Sequence, residues 1–381
     1  METSPSCSSI YYLENVGLHR NSFRKELIQS LLGHGLNVTI VTPRGGDEAY
    51  YLELGCNYLP VPIDRHGKNV FADFSLILKY LFIIARGRPN LVVSYSIKPN
   101  VYAGIACRIL GSPHIANITG LGIAVENPGL LQKLVLFLTK VALKKTKTVF
   151  FQNISNKQFY EQLSVVGSDQ TRLIPGSGVN LMNNFYLKYP EDEYKFRLIF
   201  IGRIMKDKGI EELLDAVIEV RTKHHLVSCD IVGSFEDNTY KSAVESFVSS
   251  GSGNYLGRSN DVHALLSEYH AVVLPSYHEG MSNVLLEAAA AGRPVLTSNI
   301  PGCRETFDEG ISGFGFEPRS VDSLVQSIER FIALPHEQKA AMGLAGRKKM
   351  EREFDRQIVV DAYMREIENI LEENNKKDKK K

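Results

Sequence analysis

The chain reads as an α/β protein of two successive domains, each built on a parallel sheet. Three observations carry this. Its 381 residues are more than a single core usually serves. Short β-branched runs alternate with longer helical patterns along the chain, as βαβ crossovers require. The alternation breaks at the polar, turn-forming stretch "LMNNFYLKYPEDEYK" and then begins again.

Element by element, the first half offers strands at "NVTIV", "NYLPV", "NLVVSY", "HIANIT", "TVFFQN" and "TRLIP", with helices starting near Ser22, Phe74, Pro99, Leu130 and Ser155. A first strand is expected ahead of these, and only "SIYYL" is available for it. That run is short and follows small polar residues, so it predicts a partly exposed strand or an unusual N-terminus. The second half offers "RLIFIG", a helix from Ile210, "VSCDIVG", a helix near Ser242, "NYLG", a helix near Val262, "AVVLP", a helix over 283–291 and "PVLTS". The expected organisation is a Rossmann-like domain over 1–185, a second over 186–355, and a C-terminal helix with a disordered basic tail over 356–381. Two such domains place ligands at the carboxyl ends of their strands, in a cleft that the two sheets face.

Bulk composition narrows the function. With 44 basic against 43 acidic side chains, no global charge draws the chain to nucleic acid. Five scattered cysteines, without a Cys-x-x-Cys pair, argue against a disulfide frame or structural zinc and for a reducing compartment. The N-terminus lacks the basic start and apolar core of a signal peptide. No apolar run approaches the ~18 residues of a spanning helix.

No G-x-G-x-x-G opens a helix, and "GHGLNV" reads as a helix stop with Gly33 or Gly35 at positive φ. A P-loop and a G-x-S-x-G elbow are both missing. What remains is "FIGRIMKDKGIEELLDAV". A strand ends at Gly202, and Arg203 and Lys208 project from the loop into the next helix. Two cations at the carboxyl edge of a sheet suit a diphosphate; the plainer reading is surface charge beside Glu211 and Glu212.

The stretch "SYHEGMSNVLLEAAAAGRP" complements that loop. A helix starting at Ser282 or Asn283 offers free N–H groups and the positive end of a dipole. Gly280 allows close approach to a ligand. Glu279, just ahead of those donors, can accept from sugar hydroxyls, and Glu287 can hold a ribose diol. Taken singly, Glu279 is equally a dipole partner and Glu287 a solvated helix acid. Together with the Arg–Lys pair, the ligand reading prevails.

"GRIMKDKG", followed some way on by "PSYHEGMSNVLLEAAAAGRPVLTSNIPGCRE", resembles the nucleotide-sugar half of the retaining GT-B glycosyltransferases, whose E-x7-E signature matches Glu279 and Glu287. "NSFRKEL", "SYSIKPNVYAGIACRILGSPHIANITGLG" and "IPGSGVN" are similar to the acceptor half. Within the family, the pattern is closest to bacterial enzymes that add N-acetylgalactosamine or related hexoses to polyprenyl-diphosphate-linked sugars.

The resemblance implies that Arg203 and Lys208 bind the donor diphosphate, beside Gly202. It assigns Glu279 and the backbone of Gly280, Met281, Ser282 and Asn283 to the donor sugar, and Glu287 to the ribose. Arg258, in "LGRSNDV", would flank the base. On the acceptor side, the Gly-rich first loop reduces to Gly17, and the place where many members carry a histidine reads "NITGLG", with Asn117, Thr119 and Gly120. The implied enzyme retains anomeric configuration and needs no metal or other cofactor. Its donor is a nucleotide sugar, UDP-linked in this subgroup, and its acceptor a polyprenyl-diphosphate-linked sugar. An epimerase on the same fold, or a non-catalytic nucleotide-sugar-binding protein, are the rival readings.

One segment bears on location. In "LLQKLVLFLTKVALKKTK", Lys133, Lys140, Lys144 and Lys147 fall on one helical stripe, with Leu134, Leu138 and Val141 to other sides. Such a 130–147 helix can lie on an anionic membrane; otherwise it is an ordinary surface helix. The expected location is cytoplasmic, peripheral on the inner face of the cytoplasmic membrane.

Overall fold

The computed structural model describes residues 8–64, 70–122, 125, 129–191, 195–259 and 261–378. It divides into two compact units, Met1–Ser177 with Ile358–Lys381, and Gly178–Gln357. No helix among the described residues is long and apolar enough to cross a membrane.

Unit 1 runs β1 (Ser9–Leu13), α1 (Lys25–Gly33), β2 (Asn37–Thr42), α2 (Glu48–Glu53), β3 (Asn57–Pro60), α3 (Val70–Gly87), β4 (Leu91–Tyr95), α4 (Ile97–Leu110), β5 (His114–Ile118), α5 (Leu130–Leu143), β6 (Thr148–Phe151), α6 (Ile154–Gln162) and β7 (Thr171–Leu173). Its sheet has the order β3-β2-β1-β4-β5-β6-β7, and every pairing is parallel. Strand order reverses between β1 and β4, which makes their carboxyl ends the switch point where α/β sheets bind ligands.

β1 corrects the expectation of a weak strand. It pairs with both β2 and β4 at the centre of the sheet, and Ile10 to Leu13 are buried. The sequence looked weak because two of its inward positions are tyrosines. Tyr12 is accommodated because its hydroxyl donates to Glu14 Oε2 at 3.0 Å, which satisfies the polar end of a buried ring.

Unit 2 runs β8 (Phe196–Ile201), α7 (Ile210–Lys223), β9 (Val227–Val232), α8 (Lys241–Ser249), β10 (Tyr255–Gly257), α9 (Val262–Leu266), β11 (Ala271–Leu274), α10 (Asn283–Ala290), β12 (Val295–Ser298), β13 (Gly313–Phe316), α11 (Val321–Ile332) and α12 (His336–Lys349). The sheet order is β10-β9-β8-β11-β12-β13, again parallel throughout. Here the switch point falls between β8 and β11.

The final helix, α13 (Arg356–Asp378), returns to unit 1 from Ile358 onward. The helix expected in 356–381 is present, and it belongs to unit 1 rather than to a segment of its own. Val359, Val360, Tyr363, Met364, Ile367 and Ile370 are core residues of unit 1, Tyr363 packs on Phe150 with ring centroids 4.3 Å apart, and Glu366 pairs with Arg172 at 2.7 Å. The helix extends through Asp378, and the last three residues lie outside the described ones.

The units part at 177/178, whereas the sequence suggested 185/186. The polar stretch after Gly178 belongs to unit 2 because a few anchors tie it down. Tyr189 is buried and its hydroxyl donates to the His270 carbonyl at 3.1 Å, and the buried Arg293 donates to the Lys188 carbonyl at 2.7 Å. Gly178 itself sits at φ 64°, where a Cβ would lie 2.7 Å from Arg356 Cα, so the chain's exit from unit 2 is packed on its entry.

Candidate donor site

The sequence-predicted residues of unit 2 converge on its switch point. Gly202 and Arg203 follow β8 directly, and the loop 275–282 follows β11, the neighbouring strand. Lys208 and Glu279 form an ion pair between these two loops. Ser276 Oγ adds a hydrogen bond to the same carboxylate oxygen at 2.9 Å. Both charged side chains are largely buried, which makes their placement costly to disturb.

Backbone contacts fix the two loops. Tyr277 N–H donates to the Asp207 carbonyl at 2.9 Å. Gly209 has φ 69°, and a Cβ there would stand 2.1 Å from the Pro275 carbonyl oxygen. Glycine is therefore required both by the left-handed backbone and by the close approach of the loops. On the other side, Ser282 N–H donates to the Gly302 carbonyl at 2.9 Å. Gly302 has φ 83°, and a Cβ would lie 2.6 Å from the Glu279 carbonyl oxygen. The loop bearing Glu279 is thus clamped between the Lys208 turn and the "PGCRE" turn.

α10 begins at Asn283, after Ser282 in an extended conformation, and no side chain caps it. Its first-turn N–H groups thus keep the anion-binding character of a helix start. Met281 is buried against Val179, Leu286 and Phe354, so it anchors the loop through its side chain and can offer a ligand only its backbone. Asn283 Oδ1 is buried without a hydrogen-bond partner. Glu287 lies one turn further along α10. Burial pushes its carboxyl up to about 7, with Arg356 opposing the shift. A half-neutral acid at that position is poised to gain from hydrogen-bonding partners such as a diol.

Arg203 and Arg258 differ from these. Arg203 reaches Glu236 at 2.8 Å and is half exposed. Arg258 is exposed on the loop after β10. Sequence reasoning missed several members of the site: Ser276, Glu236, and Tyr277, whose hydroxyl donates to Glu212 at 2.6 Å. Gly302 was visible in its motif, but its steric role was not.

In unit 1, the four acceptor-side candidates divide by role. Thr119 and Gly120 line a cavity of about 20 Å³ at the carboxyl ends of β4 and β5, with Ser96 and Asn100, room for about one water. Asn117 also borders it, but its side chain is buried and engaged. Its amide donates to the Ser94 carbonyl at 2.9 Å, and its oxygen accepts from Tyr363. A buried chain continues from there through Asn100, Ser94, His114 and Thr146. Burial pushes the His114 pKa down to about 3, so this imidazole is a neutral strut. Gly17 packs on another loop, since a Cβ there would meet Gly46 N at 2.5 Å.

Two parallel α/β units, one with paired charged loops at its switch point, give the architecture of the class; family comparison gives its activity. The glycosyl transferases group 1 family matches residues 185–349, and the glycosyl transferase 4-like family matches residues 9–153. The chain belongs to the GT-B glycosyltransferases and is a glycosyltransferase enzyme. It is 25% identical, over 95% of its length and 99% of the relative's, to the N,N'-diacetylbacillosaminyl-diphospho-undecaprenol alpha-1,3-N-acetylgalactosaminyltransferase of Campylobacter jejuni. It is also 25% identical to the capsular polysaccharide biosynthesis glycosyltransferase CapM of Staphylococcus aureus, over 91% of this chain and 93% of that one. The fold is similar to that of Anabaena Alr3699/HepE, solved in complex with UDP, with a TM-score of 0.77, 16% identity, and 95% and 99% of the two chains covered.

Proposed function

We propose that the protein transfers a hexose or N-acetylhexosamine from a UDP-sugar to a lipid-diphosphate-linked glycan, with retention of anomeric configuration, in the synthesis of a bacterial surface polysaccharide or glycoprotein glycan. The observation that carries the donor side is the Lys208–Glu279 pair beside the uncapped start of α10. The acceptor class is supported by end-to-end similarity to an enzyme named for a diphospho-undecaprenol-linked sugar. The UDP preference is supported by the UDP-bound fold relative.

In this reading the donor diphosphate lies against Lys208, the α10 amides and Arg203, which stabilise charge as the bond from the anomeric carbon to the phosphate oxygen lengthens. Glu279 and the Gly280–Asn283 backbone hold the sugar, and Glu287 holds the ribose. The acceptor hydroxyl attacks the face that the diphosphate is leaving. Its oxygen bonds to the anomeric carbon, and its proton passes to the departing phosphate oxygen. No side-chain nucleophile and no metal take part. The lysines of 130–147 bring the enzyme to an anionic membrane on its cytoplasmic side, where a lipid-linked acceptor is presented.

The test is turnover of a panel of labelled UDP- and GDP-sugars with polyprenyl-diphosphate-linked mono- and disaccharides, followed by NMR of the product's anomeric linkage. A retained linkage on the lipid acceptor is expected from a UDP-sugar. An inverted linkage, or a GDP-sugar as the sole donor, would overturn the reading.

A further inference from the structure

Two helices of unit 1 carry more apolar surface than their packing uses. In α3, Leu76, Tyr80 and Ile84 are buried in the core. Phe74, Leu78 and Phe82 follow the same spacing of four, displaced by two residues, and so point the opposite way. They are exposed, Phe74 by 60% and Phe82 by 65%. A helix that only covers a sheet has one apolar stripe; α3 has two.

α5 repeats the pattern. Thr139, Ala142 and Leu143 are buried, while Leu130, Leu131, Leu134 and Phe137 face outward, Leu130 by 85% and Phe137 by 62%. Apolar residues of α5 thus lie partly on the exposed side, next to the lysines. α4 packs against both α3 and α5, so the two helices share one face of the sheet. Each follows a strand of a parallel sheet, so each begins at the carboxyl edge, the edge that carries Thr119 and Gly120.

Charge selects the occupant. Lys79, Arg86 and Arg88 are exposed on and just after α3, as are Lys133, Lys140, Lys144 and Lys145 on and just after α5. The segment 129–147 contains no acid, and the acid of 70–88, Asp73, is paired with Lys98 at 2.8 Å. Pairing of this face with a second copy of itself would set cations against cations. Lys147 lies past the end of α5 and pairs with Glu373 at 2.7 Å, so it drops out of the stripe.

We propose that α3 and α5 form a two-helix docking face for an anionic lipid bilayer, in which Phe74, Leu78 and Phe82 enter the interface together with Leu130, Leu134 and Phe137 while the flanking cations meet the headgroups. This extends the membrane contact of the proposed function, which rests on α5 lysines alone, by an apolar component centred on α3.

The experiment is co-sedimentation of the full chain with phosphatidylcholine vesicles, with and without phosphatidylglycerol. Three proteins are compared: the parent, Phe74→Ser/Leu78→Ser/Phe82→Ser, and Lys133→Gln/Lys140→Gln/Lys144→Gln. The parent should bind only the anionic vesicles. Loss of the α3 apolar stripe should weaken binding by about ten-fold or more and leave its salt dependence in place, because the burial of three large apolar groups is removed. The lysine variant should lose most of the salt dependence instead. Thermal unfolding by circular dichroism should be unchanged in the α3 variant, since its targets are outward. Equal binding by the α3 variant and the parent would overturn the inference even if the lysine variant is released. A parent that self-associates in solution through a contact abolished by the α3 substitutions would overturn it too, by making the face a protein interface.

Discussion

Replacement of Lys208 tests the donor site most directly, because the structure ranks its two cations. Lys208 and Glu279 are 20% and 14% exposed, whereas Arg203 and Glu236 are 46% and 37% exposed. Two unit charges about 4 Å apart interact by roughly 4 kcal/mol at the effective dielectric of a protein surface site, and by only about 1 kcal/mol in bulk water. Lys208, the more enclosed cation, should therefore contribute the larger share to a developing diphosphate charge. Removal of one preorganised group of this kind costs about 3–4 kcal/mol, or some 100- to 1,000-fold in rate. Lys208→Ala should reach that range in kcat, while Arg203→Ala, more exposed and so more screened by solvent, should lose about ten-fold or a little more. Arg203→Ala should keep the parental melting temperature, since its side chain is half exposed; Lys208→Ala leaves Glu279 unpaired in an enclosed site, so its melting temperature should fall while unit 2 stays folded. Steady-state kinetics with a confirmed donor, beside thermal unfolding, measures this. If both variants kept parental rates, or if Lys208→Ala changed KM alone, Lys208 would not be acting on the leaving group.

Four further outcomes follow from the same geometry. Turnover should survive excess chelator, because the diphosphate charge is met by Lys208, Arg203 and helix amides; complete loss that magnesium restores would contradict this. The raised pKa of Glu287 means that its carboxylate is disfavoured on folding, so its cost appears as pH climbs from about 4.5 to about 7 and is then constant. Glu287→Gln should accordingly raise the melting temperature more at pH 8 than at pH 5. In the parent, UDP affinity measured by calorimetry should fall as pH drops through about 7, and in the variant that dependence should flatten. Gly302→Ala should abolish UDP-induced thermal stabilisation without unfolding unit 2, because a Cβ there collides with the Glu279 carbonyl and shifts the clamped loop.

The sequence made the fold and the donor site readable to different depths, for physical reasons. Strands β2, β4 and β6 are rich in Val, Ile, Leu and Phe, and burial on both faces of a parallel sheet demands that pattern. β13, "GFGF", and α2 were not anticipated: glycines weaken a strand signal, and six residues are too few for helical period to show. Positive φ at Gly35 was foreseen and is 74°, since a helix stop is local. The partner of Lys208 was not legible, because it lies 71 positions further along the chain and is reached through Gly209 and Gly302, which bring three loops together. Proximity in space leaves no mark on spacing in sequence.

The lysine helix shows where periodicity alone misleads. Spacing put Lys133, Lys140, Lys144 and Lys147 on one stripe with Leu134, Leu138 and Val141 to other sides, and left open which apolar residues face the sheet. Which leucines do so depends on how α5 is rotated about its axis, and that is set by what α4 and β5 leave open. The sheet side is filled by Thr139, Ala142 and Leu143, small or late in the helix, because Ala142 packs close to Gly104 of α4. A close approach there leaves no room for Leu134 or Phe137 underneath, so they are turned outward beside the lysines. The same rotation that hides small residues against α4 therefore produces an outward face both apolar and basic. That combination costs solubility, and a bilayer surface offsets the cost by accepting both kinds of group at once.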